Sequence, residues 1–223
     1  APAMEKIWQN VSPILKQHSH ENEDFKVGNM NFENLHKRVP LLLSDISESA
    51  RKVKAIVSDL KDFARQAPAE MKDSVDINAV VEKARGLVKN LIQKSTESFS
   101  VEYAPEVPHF TGNTQRIEQV LVNILVNACQ ALTDSHQPIS VTTGFNHSAE
   151  AVQVSVIDGG AGIPSEILER IRDPFFTTKR DNGGTGLGLS ISEKIIQDHG
   201  GSIQFESEAG KGTSVTITIP VNP

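Results

Sequence analysis

The run Asp181-Asn182-Gly183-Gly184-Thr185-Gly186-Leu187-Gly188-Leu189-Ser190 holds four glycines within six residues and leads into an amphipathic segment at 190–198. Closely spaced glycines let backbone N–H groups approach an anion, and a helix beginning just after them adds the positive end of its dipole. A plain glycine-rich turn has the same composition, so the run alone leaves both readings open. Asn123 and Asn127 stand four apart on one face of a helical stretch that is otherwise apolar. An amide oxygen there can ligate a hard cation such as Mg2+, which keeps most of its waters and bridges to phosphates. The same side chains can equally satisfy nearby backbone. Asp158-Gly159-Gly160-Ala161-Gly162-Ile163-Pro164 closes an alternating apolar stretch. A carboxylate at that point can accept the N6 amino hydrogen of adenine and would repel the O6 of guanine; it can also be an ordinary Asp-Gly turn. Asp173-Pro174-Phe175-Phe176-Thr177-Thr178-Lys179-Arg180 sets paired aromatics before hydroxyls and two cations, and Gly210-Lys211-Gly212-Thr213 precedes a last alternating stretch.

These residues need elements to hold them. Residues 79–94 carry Val80, Val81, Ala84, Leu87, Val88 and Leu91 at helical spacing, with Asp76 as N-cap. A second helix is expected over 114–133, with Ile117, Val120, Leu121, Ile124, Leu125, Ala128 and Leu132 on one face. Strands are expected at 99–103, 139–145, 151–158, 202–206 and 213–220. The pattern predicts an antiparallel or mixed sheet covered on one face by helices.

The N-terminal third is different. Residues 5–17 form an apolar stripe with Pro13 as a kink or break, followed by the polar link His18-Ser19-His20-Glu21-Asn22-Glu23-Asp24. From 39 to 66, Val39, Ile46, Val53 and Leu60 recur every seven residues, a coiled-coil-like seam. A lone hairpin cannot bury such a seam on both sides, which predicts a homodimer with a four-helix bundle; the alternative is a stripe packed on the chain's own C-terminal domain. The domains are then 1–70 and 71–223.

The 223 residues carry a net charge of −6, which excludes a general nucleic-acid or membrane-surface binder. No apolar run approaches the ~20 residues that span a bilayer, and Ala1-Pro2-Ala3-Met4-Glu5-Lys6 lacks the layout of a signal peptide. Cys129 is the single cysteine and fits a reducing compartment, so a cytoplasmic domain without direct membrane contact is expected.

In this order and spacing the four signals resemble the N, G1, F and G2 boxes of bacterial sensor histidine kinases, over residues 76–220. Those kinases share a superfamily with gyrase, heat-shock chaperone and mismatch-repair ATPases. Arg51-Lys52-Val53-Lys54-Ala55-Ile56-Val57 and Asp59-Leu60-Lys61-Asp62-Phe63-Ala64-Arg65 resemble the second helix of the kinases' dimerisation and phosphotransfer domain. The resemblance implies an α+β fold: a two-layer α/β sandwich that binds ATP, preceded by an antiparallel helical hairpin forming a dimeric four-helix bundle. It implies ATP and Mg2+ as ligands, with Asn127 on the metal and Asn123 one turn before it. Asp158 would read adenine, with Thr213 supporting it through its hydroxyl by way of water. Gly160 and Gly162 would pass close to the base, and Gly184, Thr185, Gly186, Leu187, Gly188 and Leu189 would wrap the phosphates. Residues 168–184 would form a mobile lid from which Lys179 or Arg180 reaches phosphate. A response regulator receiver domain would be the downstream partner.

Two features refine this. Chaperone and gyrase members carry a water-activating glutamate at the first N-box position, where this chain has Asn123, an amide that is no general base. The kinases phosphorylate a histidine in a His-Glu or His-Asp motif followed by Asn-Pro, and none of the seven histidines fits. His18 and His20 lie in the polar link, His36 precedes the second helix, His199 sits at a helix end, and His109, His136 and His147 read as surface residues. The expectation is that the chain starts just downstream of the phospho-acceptor and cannot phosphorylate itself. A kinase-like protein without an acceptor, an ATP-driven clamp and a non-catalytic nucleotide scaffold are the competing readings.

Overall fold

The computed structural model describes residues 2–22, 25–64, 71–179 and 184–221. The chain divides into two compact units, Ala1–Ser58 and Asp59–Pro223.

The first unit holds helix α1 (Pro2–Glu21), a two-stranded ladder of β1 (Lys26–Val27) and β2 (Met30–Asn31), and most of helix α2 (Phe32–Ala64), whose last turns fall past Ser58. α1 runs unbroken through Pro13, which removes the break from the expected kink or break. The proline removes one donor, and the turns on either side keep the remaining ladder. α2 begins seven residues before the expected start at 39, because Asn31 caps it: its Oδ1 accepts the Asn34 N–H at 3.0 Å. His36 therefore lies within α2 rather than ahead of it. Its ring stacks on Phe32 at 5.5 Å between centroids, and its Nδ1 lies 2.8 Å from the Ser12 hydroxyl of α1. Phe32, Leu35 and Ser12 are buried, whereas Ile7, Ile14, Ile46, Val53 and Val57 are exposed.

The second unit is a two-layer sandwich. Its main sheet has five strands in the order β4-β6-β7-β9-β8: β4 (Phe99–Glu102), β6 (Ile139–Asn146), β7 (Ala151–Asp158), β9 (Gly212–Pro220) and β8 (Ser202–Glu208). Only the β4–β6 pair is parallel, so the sheet is mixed. The inward positions Ile139, Val141, Val152, Val154, Val156, Val215, Ile217 and Ile219 are buried. Outward positions carry polar pairs such as Ser155 with Thr216, 3.1 Å apart. One face meets helices and the other meets water, which is why these strands alternate so cleanly.

Helices α3 (Ile77–Ser95), α4 (Thr114–Ala131) and α6 (Gly188–Asp198) supply the other layer. Asp76 caps α3 as expected, with Oδ1 accepting Asn78 N–H at 2.9 Å. Asn113 caps α4 through Arg116 N–H at 3.0 Å. The α4 face of Ile117, Val120, Leu121, Ile124 and Leu125 is at most 2% exposed, each side chain contributing about 1.5–3 kcal/mol of burial. A small second sheet, β3 (Asp73–Val75) paired with β5 (Phe110–Gly112), was not anticipated. The short helix α5 (Ser165–Leu168) and a 3-10 turn at Arg170–Arg172 lie between β7 and α6. Among the described residues no helix is long and apolar enough to cross a membrane.

Candidate functional site

Asp158 is the last residue of β7, flanked in the sheet by Ile139 of β6 and Thr213 of β9. It is buried, with its Oδ1 accepting the Gly160 N–H at 2.9 Å. Burial pushes the carboxyl above the ordinary carboxylate value, while the backbone N–H groups of Gly160 and Thr213 and the Lys179 ammonium pull it back. The loop after it has no freedom to drift. A Cβ on Gly160 would fall 2.4 Å from the Ala131 carbonyl oxygen, and one on Gly162, at φ +65°, 2.0 Å from that of Glu208. Protein backbone thus already accounts for both glycines.

Thr213 supports Asp158 through its backbone N–H. Its hydroxyl pairs with Ser207 Oγ at 2.9 Å. Ser207 was missed from sequence: it accepts Ile163 N–H at 2.8 Å and donates to the Gly212 carbonyl at 2.8 Å. Nothing in a strand-edge serine signals this, because its partners come from two other segments.

On α4, Asn123 and Asn127 have different surroundings. Asn123 Nδ2 donates to Ser192 Oγ of α6 at 2.9 Å, and a Cβ on Gly188 would fall 2.5 Å from its Oδ1. Asn123 is therefore engaged in packing the two helices. Asn127, one turn on and half-buried, makes no side-chain hydrogen bond among the described residues. Gln130, on the same flank of α4, accepts from Lys179 Nζ at 3.4 Å. The Lys179 ammonium is half-buried, and desolvation lowers its pKa while Asp158 draws it up.

α6 starts at Gly188, two residues before the expected start, and no side chain caps it. Among the described residues no side chain accepts from its first N–H groups, an anion-binding arrangement. Leu187 and Leu189 turn their side chains into or against the core, leaving backbone for any ligand. Thr185 Oγ1 accepts Leu187 N–H at 3.2 Å, and Gly184 N–H reaches the Lys179 carbonyl at 3.0 Å. The start of the glycine run at 181–183 and Arg180 lie outside the described residues. Arg170 covers Phe176 at 4.6 Å, whereas Phe175 is exposed, so the two aromatics do not form a buried pair.

The site therefore draws together a buried carboxylate from β7, the Asn127 amide from α4, the Lys179 ammonium and a helix N-terminus that, among the described residues, no side chain caps. Residues 112–223 match the family model "Histidine kinase-, DNA gyrase B-, and HSP90-like ATPase". The chain belongs to this ATPase family. ATP binding is the property that membership supports. Within the family the similarities are to sensor kinases. A putative sensor protein of Shewanella frigidimarina (strain NCIMB 400) is 34% identical over 209 residues, 94% of this chain and 31% of that protein. The sensor histidine kinase ZraS of Escherichia coli (strain K12) is 37% identical over 149 residues, 67% of this chain and 31% of its own. The chain thus spans about a third of these curated relatives. The nucleotide-free catalytic domain of histidine kinase ThkA superposes with a TM-score of 0.58 at 38% identity, covering 66% of this chain and 95% of that one. Full-length ShkA in complex with AMPPNP shares the fold over 99% of this chain and 45% of its own, at TM-score 0.71 and 21% identity.

Proposed function

We propose that this chain is the ATP-binding and dimerisation portion of a sensor histidine kinase, which passes the γ-phosphoryl of ATP to a histidine and then to a response regulator. The observation that carries this reading is the convergence of Asp158, Asn127 and the uncapped start of α6 from three separate elements. Asp158 would accept from adenine N6, and its burial would make a mismatched base costly. The backbone of 184–189 and the α6 N-terminus would hold the phosphates. The half-buried, unpartnered amide of Asn127 suits Mg2+, which would neutralise phosphate charge there. Lys179 would exchange Gln130 and Asp158 for a phosphate.

Asn123 favours transfer over hydrolysis. An amide engaged with Ser192 has no basic lone pair for activating water, so the bound triphosphate would wait for an aligned nucleophile. The exposed row Ile7, Ile14, Ile46, Val53 and Val57 supports a homodimer formed through the hairpin. Two measurements test the reading. Calorimetry should detect ATP binding that tightens with Mg2+ and is not matched by GTP. Mixed with a histidine-bearing bundle helix of a relative and radiolabelled ATP, the chain should produce an acid-labile phosphohistidine. Rapid steady hydrolysis without transfer would instead favour a clamp-type ATPase.

A further inference from the structure

His199 closes α6 and is 4% exposed, yet it is remote in role from every group assigned to the nucleotide. Its two ring nitrogens meet opposite partners. Nδ1 lies 2.7 Å from the Ile195 carbonyl oxygen, and Nε2 accepts the backbone N–H of Asn113 at 3.0 Å. A carbonyl can only accept and an amide N–H can only donate, so the proton must sit on Nδ1 and not on Nε2. A single neutral tautomer satisfies both bonds.

Asn113 is the N-cap of α4, so the ring joins the last turn of α6 to the first turn of α4. The joint has no slack: a Cβ on Gly112 would fall 2.8 Å from His199 Cδ2. Arg116 Nη1 adds a second link, 3.4 Å from Asp198 Oδ2, and Asp198 also meets Lys194 at 2.7 Å. From this joint the helices run antiparallel to the contact of Asn123 with Ser192 and Gly188. Asn127 follows that contact one turn on along α4, and the 184–189 segment meets it at Gly188, both away from the His199 end of the helices. Asp158, by contrast, is held by β6, β9 and the Gly160 loop.

We propose that His199 is a positioning residue for the phosphate end of the site, its neutral imidazole fixing the register of α4 against α6. The proposal rests on the nucleotide-site reading above. Because helices transmit displacement along their length, loosening the joint moves the α6 N-terminus relative to Asn127 and leaves the adenine end in place. Loss of His199 therefore separates phosphate recognition from adenine recognition, which general damage to the fold does not do.

The experiment titrates the full chain and its His199→Ala and His199→Gln variants with Mg2+-ATP and, separately, with adenosine. Gln can place an acceptor near the position of Nε2 and retain the Asn113 bond. The Ala variant is expected to lose about tenfold in ATP affinity and under about twofold in adenosine affinity, with Gln recovering most of the loss. Nitrogen-15 spectra of the wild-type chain should show His199 protonated at Nδ1 alone. Equal losses for ATP and adenosine, no loss in either variant, or a proton on Nε2 would overturn the proposal. Should the Ala variant not fold, the Gln variant and the wild-type spectrum decide: a Gln variant as impaired as an unfolded chain, or the opposite tautomer, refutes it. A wild-type chain that binds neither ligand refutes the site reading itself.

Discussion

The backbone N–H of Phe175 donates to the Gly186 carbonyl at 2.9 Å, and both residues hold left-handed backbone, φ +68° and φ +71°. A Cβ on Gly186 would fall 2.5 Å from the Phe175 carbonyl carbon, so the aromatic segment and the glycine run are built against each other. Left-handed backbone costs a phenylalanine roughly 1–2 kcal/mol, a penalty glycine escapes. In urea denaturation, Phe175→Gly should therefore be more stable than Phe175→Ala by about 1 kcal/mol. Equal stabilities would mean that the turn carries no strain. Gly186→Ala should cost at least about 2 kcal/mol, since it adds both strain and collision.

Asp158 should govern the choice of base. Asp158→Asn keeps the shape but puts an N–H donor where adenine N6 also donates. We expect ATP affinity to fall by about 2 kcal/mol, roughly thirtyfold, with little change in melting temperature. Unchanged affinity by calorimetry would remove Asp158 from the adenine site.

Lys179 should act with opposite sign on two ligands. Its ammonium sits 3.4 Å from Gln130 and is drawn to Asp158, so a purine must displace it. ATP compensates with phosphate oxygens, and adenosine has none. Lys179→Met should bind adenosine about two- to fivefold more tightly and ATP more weakly, the change in each being of order 1 kcal/mol. Weaker adenosine binding would show that the lysine does not occupy the purine's path.

Asn127 should matter only when metal is present. Asn127→Ala is expected to lower ATP affinity about tenfold or more in Mg2+ and to change little in EDTA. An equal loss in both conditions would assign the amide to packing.

The His199 pair of hydrogen bonds also sets a pH dependence. Burial holds the imidazole below its ordinary pKa of 6.5, against the upward pull of Ile195 and Asp198. The unfolded chain then binds a proton more readily than the folded one, so stability rises with pH through this window. The His199 contribution is complete above the unfolded value and is lost as pH falls from there through the folded value. Melting temperature should drop more steeply below pH 6.5 in the wild-type chain than in His199→Gln. Parallel curves would deny the link.

Much of the second unit was legible because its elements are long and one-sided. β7 spans the expected 151–158, α4 begins at the expected 114, and the inward row of β9 was visible as strict alternation. β3 and β5 are three residues each, too short for any period to register. The early start of α2 was hidden because its cap, Asn31, is one of three closely spaced asparagines, with Pro40 and the apolar seam further on.

By itself the sequence determined the family, the order of the four motifs and the chemistry each could offer. It could not say which polar atoms are spoken for. Asn123 and Asn127 are the same residue type on one helix, and Ser192, 69 positions away, engages one of them. Gly160 and Gly162 read as room for a ligand, and only the fold shows that the Ala131 and Glu208 carbonyls also lie against them. His199 reads as a helix end and becomes a joint only when Asn113, 86 positions earlier, meets its ring. Side-chain chemistry is local and can be read from residue type. Availability is set by neighbours that only folding brings within hydrogen-bond distance.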